Sequence, residues 1–100
     1  MKTVMIVDDE TNVLETVKSC LESDDFEVVT ATNSREALEI MNEEEENFGL
    51  ILIDTLMPGS NKSALFSMKP RSKMDTSKIE DFLQKPFTKE QLLDFVKRKI

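Results

Sequence analysis

The sequence predicts an α/β fold, a doubly wound parallel sheet with helices on both faces. Short, continuous, β-branched apolar runs alternate along the chain with segments whose apolar residues recur at helical spacing. A continuous apolar run is typical of a strand that is buried on both faces, as strands of parallel sheets are. Because strands and helices alternate, the connections are βαβ units. The length fits one domain, which we predict to cover residues 1–100.

Four runs have the composition and length of buried strands. They are "TVMIV" at 3–7, "FEVVTA" at 26–31, "FGLILID" at 48–54 and "DFLQ" at 81–84. A sheet that places its first strand between the second and third has the order 2-1-3-(4)-5. The fourth strand of that order has to come from the segment that separates the last two runs.

Helical spacing appears in three segments of the chain. The first helix lies between Asp9 and Ser23, and the second begins at a cap formed by Asn33 or Ser34. Thr88 and Gln91 form a capping box that begins the last helix. The apolar positions of the three helices are Val13, Leu14, Val17, Cys20 and Leu21, then Ala37, Leu38, Ile40 and Met41, and finally Leu92, Leu93, Phe95, Val96 and Ile100.

Composition and charge exclude several classes of function. The net charge of −7 and the pI of about 4.6 argue against a nucleic-acid-binding surface, which needs clustered Lys and Arg. The chain has one cysteine, so it forms no internal disulfide. It contains no long apolar segment and no charged-then-apolar leader, so we expect a cytoplasmic protein with no membrane contact.

Charged residues end three of the predicted strands. Asp8 and Asp9 follow the first strand, Asp54 ends the third, and Lys85 follows the last. Because the carboxyl ends of parallel strands meet at one edge of the sheet, we expect these side chains to converge there. Three carboxylates in one crevice repel one another and raise one another's pKa values. A hard cation such as Mg²⁺ would relieve that repulsion.

A metal, a lysine and an exposed carboxylate together suit phosphoryl transfer to a carboxylate oxygen. In this interpretation Asp54 is the nucleophile, while the metal and Lys85 neutralise charge on the transferring group. Each feature alone also has an ordinary structural explanation. Acids cap helices, an Asp before "MPG" is turn chemistry, and a Lys before Pro is usually solvated. Their joint occurrence at one sheet edge favours the functional interpretation.

The stretches "VMIVDDE", "LILIDTLMPG" and "DFLQKPF" resemble the signature stretches of response-regulator receiver domains. The resemblance covers about residues 2–58 and 80–100. It implies a flavodoxin-like fold and a phosphoacceptor that receives its phosphoryl group from a histidine kinase or phosphotransfer protein, with Mg²⁺ as cofactor. It does not imply an enzyme beyond weak self-phosphorylation and self-dephosphorylation.

The resemblance also implies a role for each matching residue. Asp54 matches the phosphoacceptor, which also binds the metal. Asp9 matches the direct metal ligand and Asp8 the acid that binds through water, while the backbone carbonyl of Leu56 matches the third protein contact of the metal. Lys85 matches the lysine that pairs with the phosphoryl group. Two further matches are Phe82, the aromatic residue that rotates between states, and Pro86, which follows a cis peptide bond.

The segment 59–80 departs from the family pattern. The family places a helix, a strand and a helix there, and 22 residues are too few for three elements of ordinary length. In one interpretation "SALFSM" at 63–68 is strand four, and Ser67 matches the hydroxyl residue that contacts the phosphoryl group. The link before it is too short for a parallel crossover. Such a strand requires distortion, antiparallel pairing or exchange with another chain.

In the other interpretation, "SNKSALFSMK" is a shortened third helix that ends before Pro70, and strand four is absent. Either arrangement removes cover from one flank of the sheet. We therefore expect a possible homodimer in which Leu65, Phe66 or Met68 packs against a second chain.

The sequence thus predicts a phosphorylatable receiver that signals through protein contacts. Two other functions remain open. One is a pseudo-receiver, an interaction module that keeps the acids and is never phosphorylated. The other is a small Mg²⁺-dependent phosphohydrolase of related topology, against which stands the lack of a general acid near Asp54 in the sequence.

Overall fold

The computed structural model describes residues 3–44, 48–56, 59, 62–68, 79 and 81–100. The elements in chain order are β1 (Thr3–Val7), α1 (Thr11–Glu22), β2 (Glu27–Ala31), α2 (Ser34–Glu44), β3 (Phe48–Leu56), β4 (Ser63–Met68), β5 (Asp81–Gln84) and α3 (Lys89–Lys99). All the strands and helices that the sequence predicts are present. None of the helices in the described part of the chain is both long and apolar enough to cross a bilayer.

The five strands form one sheet in the order β2-β1-β3-β4-β5. This confirms the predicted fold class and strand order. The pairs β1–β2 and β1–β3 are parallel, whereas β4 is antiparallel to both of its neighbours. It follows that β5 runs in the same direction as the first three strands, and that β4 alone among the five is reversed.

The short connection from β3 to β4 explains the reversal. Six residues, 57–62, separate the two strands. A parallel crossover takes a dozen residues or more, while a hairpin takes a few, so only antiparallel pairing is within reach. Gly59 lies in this connection with φ 71°, a left-handed conformation that glycine adopts without steric cost. Of the two interpretations of this segment, the strand is therefore right and the shortened helix is wrong.

Antiparallel pairing with β4 also lengthens β3. The ladder between β1 and β3 ends at the pair Val7–Ile53, whereas the ladder between β3 and β4 continues to the pair Leu56–Ser63. Asp54 therefore lies inside a strand, one residue beyond the parallel ladder, and not at the strand's last position as predicted.

Two apolar clusters hold the layers together. Helices α1 and α3 pack against one sheet face, and their buried residues join those of the strands: Val4, Ile6, Leu14, Val17, Leu21, Phe26, Val28, Leu50, Leu52, Leu65, Leu92, Phe95 and Val96. Helix α2 packs against the other face, with Met5, Val7, Ala31, Ala37, Met41, Phe48, Ile51 and Met68. Strands thus contribute alternate residues to the two clusters, except at the start of β3, where the pairing with β1 is irregular and Phe48 and Leu50 belong to opposite clusters.

The capping box predicted for the last helix is present and helps to fix α3. The Thr88 side chain accepts from the Gln91 N–H, and the Gln91 side chain accepts from the Thr88 N–H. The ammonium of Lys99, at the other end of the helix, lies 2.8 Å from the Asp81 carboxylate at the start of β5. This contact holds the pKa of Asp81 below its usual value.

The apolar residues of β4 are covered within the chain. Leu65 and Met68 are fully buried and Phe66 is 6% exposed. The expectation that these three residues need a second chain is therefore wrong, and the area argument for a homodimer loses its basis. Among the described residues, Phe82 is the exposed large apolar side chain, with its ring centroid 5.9 Å from that of Phe66.

Candidate functional site

The carboxyl ends of β1 and β3 meet at a cleft of about 480 Å³. Asp8 follows β1, and its N–H donates to the Ala31 carbonyl at the end of β2, which fixes the chain where it leaves the sheet. The charged residues that line the cleft are Asp8, Asp9, Glu10, Asp54 and Lys85. The sheet thus brings together the three carboxylates and the lysine that the sequence predicts to converge.

Asp8 is the acid most affected by this environment. It is buried, with 7% of its surface exposed, and accepts a hydrogen bond of 3.0 Å from the Glu10 N–H. Burial is the main cause that raises the pKa of Asp8, the Glu10 N–H opposes the shift, and the nearby carboxylates of Asp54 and Asp9 add to it, so that the pKa lies at about 6. Around neutral pH the folded chain therefore holds a carboxylate whose charge is unfavourable.

Lys85 supplies the positive charge closest to these acids. Its ammonium forms an ion pair with Oδ2 of Asp54, a side chain that is only 5% exposed. Strand β4 lies between β3 and β5, so the Lys85 side chain reaches across β4 to make this contact. The Lys85 N–H donates to the Ser63 carbonyl at 3.1 Å, which fixes the lysine backbone against β4.

The oxygen atoms around the cleft suit a hard cation, and Asp8 lies close enough to Asp9 and Asp54 for their carboxylates to raise its pKa. Among the described residues, no three acidic, histidine or cysteine side chains lie close enough together to hold a metal as they stand. The Lys85 ammonium is paired with the Asp54 carboxylate, to which a metal would also bind. The donor chemistry nevertheless fits Mg²⁺, which binds one or two carboxylates and keeps several waters.

The backbone carbonyl of Leu56 adds an oxygen atom on the side of β3 that faces β1. Because the Ser63 carbonyl bonds to β5, both backbone polar groups of Ser63 face β5 and not β3. Leu56 is the β3 partner of Ser63, so this pair exchanges no hydrogen bonds, and the Leu56 carbonyl faces the β1 side. Asp8 and Asp9 follow β1, which makes this carbonyl a candidate metal ligand.

Ser67 does not reach the cleft, which corrects its assignment as a residue that contacts the phosphoryl group. Because β4 is reversed, its last residues lie toward the end of the sheet that is away from the cleft, and Ser67 pairs with Leu52 and Asp81. The side chain is fully buried, and its hydroxyl donates to the Asp81 carbonyl at 3.3 Å. The assignment assumed a parallel strand, whose carboxyl end would have lain beside Asp54.

Ser63 is a cleft residue beside Asp54 and Lys85 that the sequence interpretation missed. The same reversal brings the first residue of β4 to the edge where Asp54 and Lys85 lie, and Ser63 lines the cleft. The short link 57–62 carried the signal that could have found it. A link that permits only a hairpin also determines which end of the following strand lies beside Asp54.

The two remaining predicted residues lie on and after β5. The Lys85–Pro86 peptide bond is cis. Phe82 points away from the cleft, 45% exposed, against Phe66. Rotation of its ring between two states stays a prediction.

Comparison with known proteins points to one family. The family model described as "Response regulator receiver domain" matches residues 4–74. Among curated proteins, the chain is 38% identical over 61 residues to the transcriptional regulatory protein CpxR homolog of Haemophilus influenzae, covering 61% of this chain and 26% of that protein. It is 28% identical over 112 residues to the transcriptional regulatory protein SrrA of Staphylococcus aureus, covering 94% of this chain and 46% of that protein.

Solved structures show the same fold. A response regulator receiver domain protein from Clostridium thermocellum superimposes with a TM-score of 0.70 at 21% identity, covering 99% of this chain and 97% of that one. The chemotaxis protein CheY4 of Vibrio cholerae gives 0.69 at 24% identity, covering 100% and 99%. The chain therefore spans whole receiver structures, but less than half the length of the curated relatives above.

The raised pKa of Asp8 predicts how a neutral substitute changes stability. Since folding raises this pKa from 3.8 to about 6, the wild-type protein loses stability from this group as pH rises through that window. Asp8→Asn removes the charge and keeps an oxygen for the Glu10 N–H. Without metal, we expect Asp8→Asn to be more stable than wild type at pH 8 by up to about 3 kcal/mol, with little gain at pH 4.

Chemical denaturation at both pH values, with a chelator present, measures this difference. Asp94→Asn, a neutralised acid on the exposed side of α3, serves as the control for a general loss of negative charge. An equal gain in the stability of Asp8→Asn at pH 4 and pH 8 would show that the gain does not come from removing the charge of Asp8.

Proposed function

Because the chain belongs to the response regulator receiver domain family, we propose that it accepts a phosphoryl group on Asp54 from a histidine kinase or phosphotransfer protein, with Mg²⁺ bound beside that residue. One observation carries the proposal. Asp54 is a nearly buried carboxylate in a cleft that also holds three further acids and the Lys85 ammonium. This combination supplies a nucleophile, oxygen ligands for a cation and a mobile positive charge.

The transfer step forms one bond and breaks one. A carboxylate oxygen of Asp54 forms a bond to phosphorus, and the bond from phosphorus to the donor nitrogen or oxygen breaks. The leaving group takes that electron pair, and a histidine donor regains a proton from water. The product is an acyl phosphate on Asp54 whose three outer oxygens carry the negative charge.

The residues of the chain divide the tasks around that product. Asp9 and the Leu56 carbonyl would hold the metal directly and Asp8 would hold it through water, with Asp54 sharing it. When bound, Mg²⁺ would neutralise charge on the transferring group and on the clustered acids. The Lys85 ammonium, which pairs with Asp54 before transfer, would then pair with a phosphoryl oxygen.

The curated relatives suggest how the signal leaves the domain. Both are described as transcriptional regulatory proteins, and this chain corresponds to less than half of each. For this chain, we infer that phosphorylation changes the conformation and that a protein partner recognises the change. The net charge of −7 makes direct nucleic-acid contact by this domain unfavourable, and the cytoplasm is the compartment in which such a chain would meet its kinase.

A specific observation favours a second candidate, a pseudo-receiver that binds partners without being phosphorylated. In the described part of the chain no group of acids is arranged to hold a metal as it stands, and β4 carries Ser67 away from the cleft. In that function Lys85 would keep its place on Asp54 permanently. Formation or absence of a phosphoryl adduct separates the two candidates.

The proposal predicts a Mg²⁺-dependent adduct on Asp54. With Mg²⁺ and acetyl phosphate, intact mass spectrometry should show the wild-type chain gaining one phosphoryl group, and Asp54→Asn should gain none. Because the nucleophile needs charge neutralisation in the cleft, a chelator should reduce adduct formation by about tenfold or more. Peptide mapping that finds the adduct on Thr55 or Ser63 would overturn the mechanism, and its absence in wild type favours the pseudo-receiver.

The proposal also predicts which acid the metal depends on most. Asp9 is exposed at the mouth of the cleft, so Asp9→Asn should leave the fold intact while it removes a direct ligand. We expect Mg²⁺ affinity to fall by about tenfold or more, because a site with so few protein ligands has no substitute.

The chain has no Trp or Tyr, so titration calorimetry or NMR is the suitable measurement of binding. Asp94→Asn makes the same charge change far from the cleft and should bind Mg²⁺ like wild type. Equal loss in both variants would mean that Mg²⁺ senses net charge and not a site at Asp9.

A further inference from the structure

Among the described residues, four hydroxyl side chains line the cleft, and they differ in what they can reach. They are Thr32, Ser34, Thr55 and Ser63. Thr32 and Ser34 follow β2, on the far side of β1 from Asp54, and the Thr32 hydroxyl already donates to Glu36 at 3.0 Å. Thr55 and Ser63 belong to β3 and β4, the strands beside the proposed phosphoacceptor.

The alternation of side chains along the strands separates these two. Leu52, Leu65 and Leu83 belong to the cluster on the α1 and α3 face of the sheet. Asp54, Ser63 and Lys85 each lie two residues from one of these leucines, toward the cleft, and so project from the same face. Thr55 lies two residues after Ile53 in β3 and so projects from the same face as Ile53, which packs on the opposite face of the sheet.

The register places Ser63 between the nucleophile and the lysine. Across one ladder its partner is Leu56, two residues beyond Asp54. Across the other, its carbonyl accepts from the Lys85 N–H. The Lys85 side chain crosses β4 to reach Asp54, and Ser63 is the residue of β4 closest to the cleft on that path. Ser63 is partly exposed and lines the cleft.

We propose that Ser63 donates a hydrogen bond to a phosphoryl oxygen on Asp54, in the role that the family resemblance implied for Ser67. The inference rests on the proposed function, because it concerns the same adduct. An acyl phosphate on Asp54 presents three acceptor oxygens to a cleft in which Lys85 can pair with one of them. The hydroxyl of Ser63, on the same face and between the two residues, meets another in a charge-assisted hydrogen bond.

The proposal follows from the reversed strand and not from the residue type alone. Both ends of β4 carry a serine, and local sequence does not distinguish them. The hairpin connection brings Ser63 to the cleft edge and turns Ser67 into a buried residue that bonds to the Asp81 carbonyl. A chain with the same residues and a parallel β4 would reverse the two roles.

Two variants that match each other in shape test the hydroxyl. Ser63→Thr keeps the hydroxyl, whereas Ser63→Val has nearly the same volume as the threonine variant and lacks the hydroxyl, and both residues suit a strand. The rate of adduct formation is measured with acetyl phosphate and saturating Mg²⁺. We expect Ser63→Thr to stay within about threefold of wild type and Ser63→Val to be slower by about tenfold or more, the effect of losing one hydrogen bond to a charged group.

Ser67→Ala is the control, because it removes the serine to which the family resemblance gave this role. It should form the adduct at the wild-type rate. Equal rates for Ser63→Thr and Ser63→Val, or a slow Ser67→Ala with normal Ser63 variants, would overturn the inference while wild-type adduct formation still supports the proposed function. Absence of any adduct on the wild-type chain would overturn both.

Discussion

The length of one connection determines the arrangement of the cleft. Six residues join β3 to β4, too few to carry the chain back over the sheet, so β4 pairs antiparallel with the strand that holds Asp54. That pairing extends β3 to Leu56 and brings Ser63 to the cleft edge. It also leaves β5 parallel to the first three strands, so that Lys85 still projects from the same edge as Asp54. The sheet thereby keeps its order although one strand is reversed.

The second constraint is electrostatic. A cleft that holds several carboxylates is unfavourable without compensating charge, and the raised pKa of Asp8 records that cost. Without a bound cation, the Lys85 ammonium compensates for the negative charge of Asp54, although Lys85 follows β5, two strands away from β3 in the sheet. A bound cation and a phosphoryl group would redistribute the same charges and would give the domain two electrostatically balanced states. Exchange between such states is the physical basis of a switch.

Much of this could be predicted from sequence because the evidence is local. Continuous apolar runs identified β1 to β3, helical spacing identified the three helices, and strand-end charges identified Asp8, Asp9, Asp54 and Lys85. The segment "SALFSM" was ambiguous because a short apolar run suits a strand or a helix. The direction of β4 depends on its partner and on the link before it, not on its own residues. The sequence interpretation noted that constraint and still chose Ser67 by analogy with parallel strands.

The direction of β4 is the claim on which the assignment of Ser63 depends, and NMR tests it directly. In an antiparallel ladder, a residue pair that exchanges no hydrogen bonds brings its Cα atoms to about 4.5 Å, with the Hα atoms facing each other. Asp54–Leu65 and Leu56–Ser63 are such pairs. The structure predicts strong Hα–Hα nuclear Overhauser effects within both pairs. Their absence, together with contacts that place Ser67 beside Asp54, would show a parallel β4 and contradict the account.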